Sequence, residues 1–293
     1  KERVAATIWV EGSTDVNDKD FSVLTIGKDV TIDTTQWGLA VSHTDGKAYG
    51  LTVNFNGKIV SSAVNGGGIT VFGDVKNTGN GLTNAPVINL SNTASVKAVG
   101  DAALYAAGVG IWYIDGGTYE GLSTIGAKSG KFVINNGMFI ATGVPKTGEL
   151  YGNGIISTGS VIQIENNKGY AGNIEITVNG GTFKSEKGLS IYHYPPNNEE
   201  GETNTLKSLI INGGTFTSDV KMVKGDNVSV TNGTFSTKTL ESYIPNTYTM
   251  VKKSENEYVV SNIEFSEVEG LEAKITSNGT DNKLYAKPGS KVV

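Results

Sequence analysis

Short stretches of this chain alternate hydrophobic and polar residues, and a turn rich in asparagine and glycine breaks the alternation at recurring points. Leu51-Thr52-Val53-Asn54-Phe55 is one such stretch. Successive side chains on a strand face opposite sides, so alternation of this kind predicts half-buried β-strands. No long stretch shows a helical period. The break is itself a repeated phrase, a hydrophobic pair followed by Asn-Gly-Gly-Thr-Phe or a close variant. It reads Ile114-Asp115-Gly116-Gly117-Thr118-Tyr119, then Ile134-Asn135-Asn136-Gly137-Met138-Phe139, and then Val178-Asn179-Gly180-Gly181-Thr182-Phe183. It returns as Ile211-Asn212-Gly213-Gly214-Thr215-Phe216 and as Val230-Thr231-Asn232-Gly233-Thr234-Phe235. The closing aromatics lie 20, 44, 33 and 19 residues apart. Repeats of this length predict stacked coils, with the longer intervals carrying insertions.

Weaker forms of the phrase extend the pattern toward the N-terminus. They are Ile26-Gly27-Lys28-Asp29-Val30, Phe55-Asn56-Gly57-Lys58-Ile59 and Leu90-Ser91-Asn92-Thr93-Ala94-Ser95-Val96. Between these marks a small or turn residue precedes a short apolar strand. Instances are Gly38-Leu39-Ala40-Val41, Gly68-Ile69-Thr70-Val71, Gly121-Leu122-Ser123-Thr124, Gly154-Ile155-Ile156-Ser157 and Gly188-Leu189-Ser190-Ile191. Each coil therefore reads as three short strands joined by turns. Eight marks stacked at the inter-strand spacing give a height of roughly 35 Å.

The residue types of the phrase follow from its geometry. Glycine supplies backbone conformations that a Cβ forbids, and Asn or Asp tolerates the left-handed region better than other side chains. The aromatic that follows is expected inside, stacked on its equivalents. Asn135, Asn179 and Asn212 share one register, which predicts an amide ladder along one corner.

Composition narrows the partners. Glycine is 39 of 293 residues, charged residues are 18%, and the net charge is −5. A negative balance does not suit a phosphate backbone, so no nucleic acid is expected. No apolar run reaches a membrane span, and no membrane insertion is expected. With no cysteine, disulfides and thiolate metal sites are excluded. The first residue, Lys1, is read as the start of a fragment or processed product.

The Asn-Gly-Gly-Thr-Phe coils resemble those of right-handed parallel β-helix proteins of the pectin-lyase-like class. More narrowly, they are similar to Gly-Gly-Thr-Phe repeat proteins displayed on the surface of gut Firmicutes. The stretch from Thr234-Phe235 through Tyr243, Tyr248-Thr249-Met250-Val251 and Tyr258-Val259-Val260 resembles the way those repeats end, in a last coil and a capping hairpin. The resemblance covers about residues 20–262. It implies an all-β fold, a right-handed parallel β-helix or β-solenoid with three short strands per coil and a C-terminal capping hairpin. The expected divisions are an N-terminal cap over 1–20, the β-helix over 21–247, the hairpin over 248–262, and at 263–293 the start of a further small β module or a C-terminal extension. The resemblance also implies an extracellular protein, secreted or cell-wall attached, acting as a monomer within a larger modular surface protein.

Chemistry is sought where the repeat is interrupted, because functional residues concentrate on loops held by a rigid scaffold. The insertions read as His43–Gly50, Lys76–Pro86, Gly159–Gly172 and Tyr192–Thr205, each after the second strand of its coil. The last two belong to neighbouring coils and bring Tyr170, Tyr192, His193 and Tyr194, with Tyr151 nearby in sequence. Aromatics beside hydroxyl, amide and carboxylate groups suit a sugar ring. Tyr192 and Tyr194 are the expected stacking residues, and His193 and Glu165 the expected hydrogen-bonding partners. The alternative is that these tyrosines shield the flank of the stack.

Catalytic patterns are thinner. A calcium-dependent lyase needs clustered Asp ligands and a basic residue, yet the only arginine is Arg3 and no Asp-rich cluster lies on the coils. Glu149, Glu165, Glu175 and Glu186 fall on adjacent coils, where a hydrolase would place a carboxylate pair; the alternative is solvated charge on outer strands. His43 and His193 take equivalent positions five coils apart, roughly 24 Å, and do not share a metal. Asp15, Asp18 and Asp20 lack the Gly and Glu of a calcium loop. The expected function is a non-catalytic surface module that binds polysaccharide or host glycan or spaces an adhesin, needing no cofactor. The competing class is a polysaccharide lyase or glycoside hydrolase.

Overall fold

The computed structural model describes residues 6–18, 22–41, 49–72, 82–146, 157–165, 173–193, 206–222, 227–262, 264–267, 272–277 and 280–285. Its architecture is an all-β right-handed parallel β-helix. The first sheet runs Ala6–Val10, Trp37–Val41, Ile69–Val71, Leu104–Ala106, Ile125–Ala127, Ile162–Ile164, Ile191–His193 and Val220–Lys221. The second has eight strands from Ser22–Ile26 to Val228–Val230, and the third has eight parallel strands from Thr31–Thr34 to Gly233–Phe235. Each strand pairs with its equivalent one coil away, so the three sheets enclose a single continuous core.

The repeated phrase forms the corner between the second and third sheets. Its second glycine has a positive φ, 91° at Gly117 and 104° at Gly181, where any side chain is strained. The residue two places on then points inward. Tyr119, Phe139, Phe183, Phe216 and Phe235 stack with ring centroids 5.1, 4.9, 4.6 and 4.9 Å apart. All five are buried. Tyr119 keeps a phenol inside by donating its hydroxyl to the Gly116 carbonyl at 2.8 Å, and burial pushes its pKa up. Two of the weaker N-terminal marks continue this column, with Val96 against Tyr119 and Ile59 against Val96; below them stands Ile32, and Val30, the residue expected from the first mark, is exposed.

Three expected first-sheet strands lie elsewhere. The strand expected at Gly188-Leu189-Ser190-Ile191 is Ile191–His193, which makes His193 the equivalent of Val41 and not of His43. Gly121 closes the third-sheet strand Thr118–Gly121, and Leu122–Thr124 make the turn, so the first sheet receives Ile125–Ala127. Ile162–Ile164 takes the place expected for Gly154-Ile155-Ile156-Ser157, of which 154–156 lie outside the described residues. The insertion expected at Gly159–Gly172 is therefore split. One part precedes Ile162 and another follows Ile164. A three-residue strand carries too little pattern to fix its own position.

In the segment expected as an N-terminal cap, Ala6–Val10 pairs parallel with Trp37–Val41. At the other end Tyr248–Ser254 and Glu257–Asn262 form an antiparallel hairpin whose second strand pairs antiparallel with Gly233–Phe235. Leu240, Met250 and Val260 join the same buried core cluster as Phe235 at this end. Beyond it, Glu264–Glu267, Glu272–Ser277 and Thr280–Tyr285 make a separate three-stranded antiparallel sheet. No helix among the described residues is long and apolar enough to cross a membrane.

Candidate functional site

In each three-residue strand of the first sheet the outer positions face the core and the middle one faces away. Thr70, Tyr105, Gly126, Gln163, Tyr192 and Lys221 form that outward row in register. Tyr105 packs with Trp37, Ala102 and Ala107 in a cluster distinct from the main core, which places its ring on the outer side. Most of this row is covered: Tyr105 and Gln163 are buried, whereas Tyr192 is partly exposed and Lys221 exposed. The Lys221 ammonium lies 5.2 Å from the Tyr192 ring centroid, within cation–π range.

Beneath the cover is a polar network. The Oε1 of Gln163 accepts from Ser123 Oγ at 2.7 Å, from Thr158 Oγ1 at 2.8 Å and from the Thr158 amide at 3.1 Å. Its Nε2 donates to Glu165 Oε1 at 2.6 Å. The other carboxylate oxygen of Glu165 meets Lys128 Nζ at 3.2 Å, with side-chain exposures of 1% and 0%. Burial raises the Glu165 pKa, while Lys128 and Gln163 act in the opposite direction. Asp101 is raised to about 6, chiefly by burial, against the bond from the Ala102 amide.

The residues expected to bind a glycan are dispersed by this arrangement. Tyr192 faces outward beside Gln163. His193, the next residue, faces the core in register with Ile164, and neither ring nitrogen has a hydrogen-bond partner among the described residues. Burial lowers its pKa to about 4. Glu165 is buried and engaged by Gln163 and Lys128. Tyr151, Tyr170 and Tyr194 lie outside the described residues, as does His43. The carboxylates considered for catalysis occupy different faces. Glu175 lies on the outer side of the second sheet and pairs with Lys207 at 2.8 Å, Glu186 follows the third-sheet strand Thr182–Ser185, and Glu149 lies outside the described residues. Among the described residues no group of three or more His, Asp or Glu is placed to hold a metal ion.

Lys128, Gln163, Asp101 and Lys221 were not singled out by the sequence pattern. The signal that finds the first two is their place beside aligned triplets, Ile125-Gly126-Ala127 and Ile162-Gln163-Ile164, which requires the correct register. Comparison with family models, with curated proteins and with solved structures finds no match to this chain.

Proposed function

We propose that this chain is a non-catalytic carbohydrate-binding module of a secreted or wall-attached bacterial surface protein of the Gly-Gly-Thr-Phe repeat kind. Its contact surface is the outer side of the first sheet at Tyr192. The observation that carries this reading is the place of the Tyr192 ring. It is partly exposed, aligned with Gln163 on one coil and Lys221 on the next, and just precedes the 194–205 insertion. A ring held on a rigid strand offers a sugar an apolar face at little entropic cost, with polar groups beside it. Glu165 supports the surface from behind by holding Gln163, and His193 packs inside.

One exposed ring and a few hydrogen bonds give micromolar-to-millimolar affinity, roughly −4 to −8 kcal/mol. The test is a polysaccharide and host-glycan array, with a reducing-end release assay on the same substrates. Binding by the parent that falls at least tenfold in Tyr192→Ala is expected. Absence of binding across a broad panel, or undiminished binding by Tyr192→Ala, removes the reading. Release of reducing ends replaces it with the lyase or hydrolase reading.

A further inference from the structure

In the five full phrases asparagine directly precedes glycine four times, at Asn136-Gly137, Asn179-Gly180, Asn212-Gly213 and Asn232-Gly233. Glycine has no Cβ to hinder its backbone nitrogen, so all four bonds are open to the same reaction. The glycine nitrogen attacks the asparagine Cγ while its proton passes to hydroxide, and the side-chain nitrogen leaves as ammonia. Water then opens the resulting five-membered succinimide to aspartate or isoaspartate. All four asparagines are exposed, so access of water does not separate them. Their hydrogen bonds do.

Asn179 and Asn212 stand at the first polar place of the phrase, and each is held across coils at both ends of its amide. Asn179 donates Nδ2 to Asn135 and accepts on Oδ1 from Asn212, which in turn accepts from Thr231. Turning Cγ toward the following glycine breaks both bonds, and the departing nitrogen is itself the donor in one of them. Asn136 and Asn232 stand one place later, immediately before a glycine of positive φ, 136° at Gly137 and 130° at Gly233. Neither side chain is bonded to another coil among the described residues. Each instead accepts, on Oδ1, the amide of its own following glycine, at 2.9 Å from Gly137 and 2.7 Å from Gly233. The nucleophile is already set against the carbonyl it attacks.

We propose that Asn136 and Asn232 are the deamidation sites of the folded chain, and that the amide ladder protects Asn179 and Asn212. Conversion at Asn232 has the larger structural effect. Isoaspartate adds a methylene to the backbone, and here it falls directly before Gly233–Phe235, the strand on which the C-terminal hairpin pairs.

The test keeps the folded full chain at mildly alkaline pH and follows each site by peptide mass spectrometry, with fragmentation that separates isoaspartate from aspartate. Breaking two hydrogen bonds on the way to the ring slows closure by about tenfold or more. Asn136 and Asn232 are expected to lead Asn179 and Asn212 by that factor. In the urea-unfolded chain the four are expected to convert alike. Conversion at Asn136 or Asn232 no faster than at the ladder residues, or the same ranking in urea, overturns the proposal. Asn135→Ala removes the acceptor of the Asn179 amide. In that variant conversion at Asn179 is expected to rise several-fold while Asn212 stays slow, and an unchanged Asn179 overturns protection by the ladder. In place of an Asn135→Ala chain that does not fold, Asn212→Ala removes the other bond to Asn179 and carries the test, with the same rise at Asn179 expected and no rise overturning.

Discussion

Asn179 donates its side-chain amide to Asn135 across one coil at 2.9 Å, and the same bond recurs from Asn212 to Asn179 at 3.0 Å. The series ends on a carboxylate, because Asn135 donates to Asp115 at 2.7 Å, and Thr231 donates into its other end at 3.0 Å. Every bond points toward the N-terminus, so the amide dipoles align and polarise one another. A shorter ladder with the same direction runs from Asn89 to Asn54 at 2.8 Å. Asn179→Ala removes two of these bonds at an exposed corner, and at about 0.5–1.5 kcal/mol each the expected loss is about 1–3 kcal/mol. Asn179→Asp should lose more, since it sets an acceptor against the Asn135 carbonyl. Urea denaturation of the two variants checks the order.

The ring column makes a stronger claim on stability. Phe216 lies between Phe183 and Phe235, stacked with its plane nearly parallel to both. Phe216→Ala should cost about 3–5 kcal/mol, as deletion of a core aromatic does. Coils depend on their neighbours, so amide exchange should accelerate at Phe183 and Phe235 as well. An unchanged denaturation midpoint would place this ring outside the core.

His193 and Asp101 give opposing pH dependences. The folded chain holds His193 near 4 against an ordinary 6.5, so the unfolded chain binds its proton more readily. Stability from this group is full above pH 6.5 and is lost as pH falls to about 4, by about 3 kcal/mol at 1.36 kcal/mol per unit. Asp101 is raised from 3.8 to about 6, so its contribution is full below 3.8 and is lost as pH rises through 6, by a similar amount. Glu165, also raised, acts in the direction of Asp101. The two effects oppose each other between pH 4 and 6. His193→Ile sacrifices no hydrogen bond and continues the aliphatic row through Ile164. It should gain more stability than the parent as pH falls from 6 to 4, because the opposing contribution of His193 is gone. Melting temperatures across that range decide the matter.

The corner glycines are not equivalent. A Cβ at Gly117 would stand 2.3 Å from the Ala94 carbonyl oxygen, whereas at Gly181 its nearest atom, the Gly137 carbonyl oxygen, is 3.0 Å away. Both have positive φ, so each alanine variant carries conformational strain of about 1 kcal/mol or more. Gly117→Ala adds a backbone displacement and should be the more destabilising of the two by denaturant titration.

The third sheet and its corner were legible because one phrase holds every cue at fixed offsets: aliphatic residues, a positive-φ glycine and a large ring. Asn135, Asn179 and Asn212 followed from the same alignment. The first sheet was less legible. Ile125-Gly126-Ala127 resembles a loop as much as a strand, and the long coil that supplies Ile162-Gln163-Ile164 offers competing triplets. Lys128 and Glu165 look in sequence like solvated charges, and only the cover over the outer side makes them a buried pair. The residues expected to bind a glycan had the same difficulty: neighbouring positions in sequence sent Tyr192 outward and His193 into the core, a one-residue difference that strand alternation settles once the register is known.

The antiparallel hairpin at Tyr248–Asn262 has a consequence for self-association. A parallel stack presents, on its last coil, a template for another strand of the same direction, the geometry by which fibrils grow. Glu257–Asn262 occupies that template on the third sheet with a strand of reversed direction and brings Lys252 and Lys253 on the outer strand. A second molecule approaching this edge meets a row of charge and a backbone pattern that its own coils do not match. The repetition that builds the tower is thereby kept from continuing between molecules along its ring-bearing sheet.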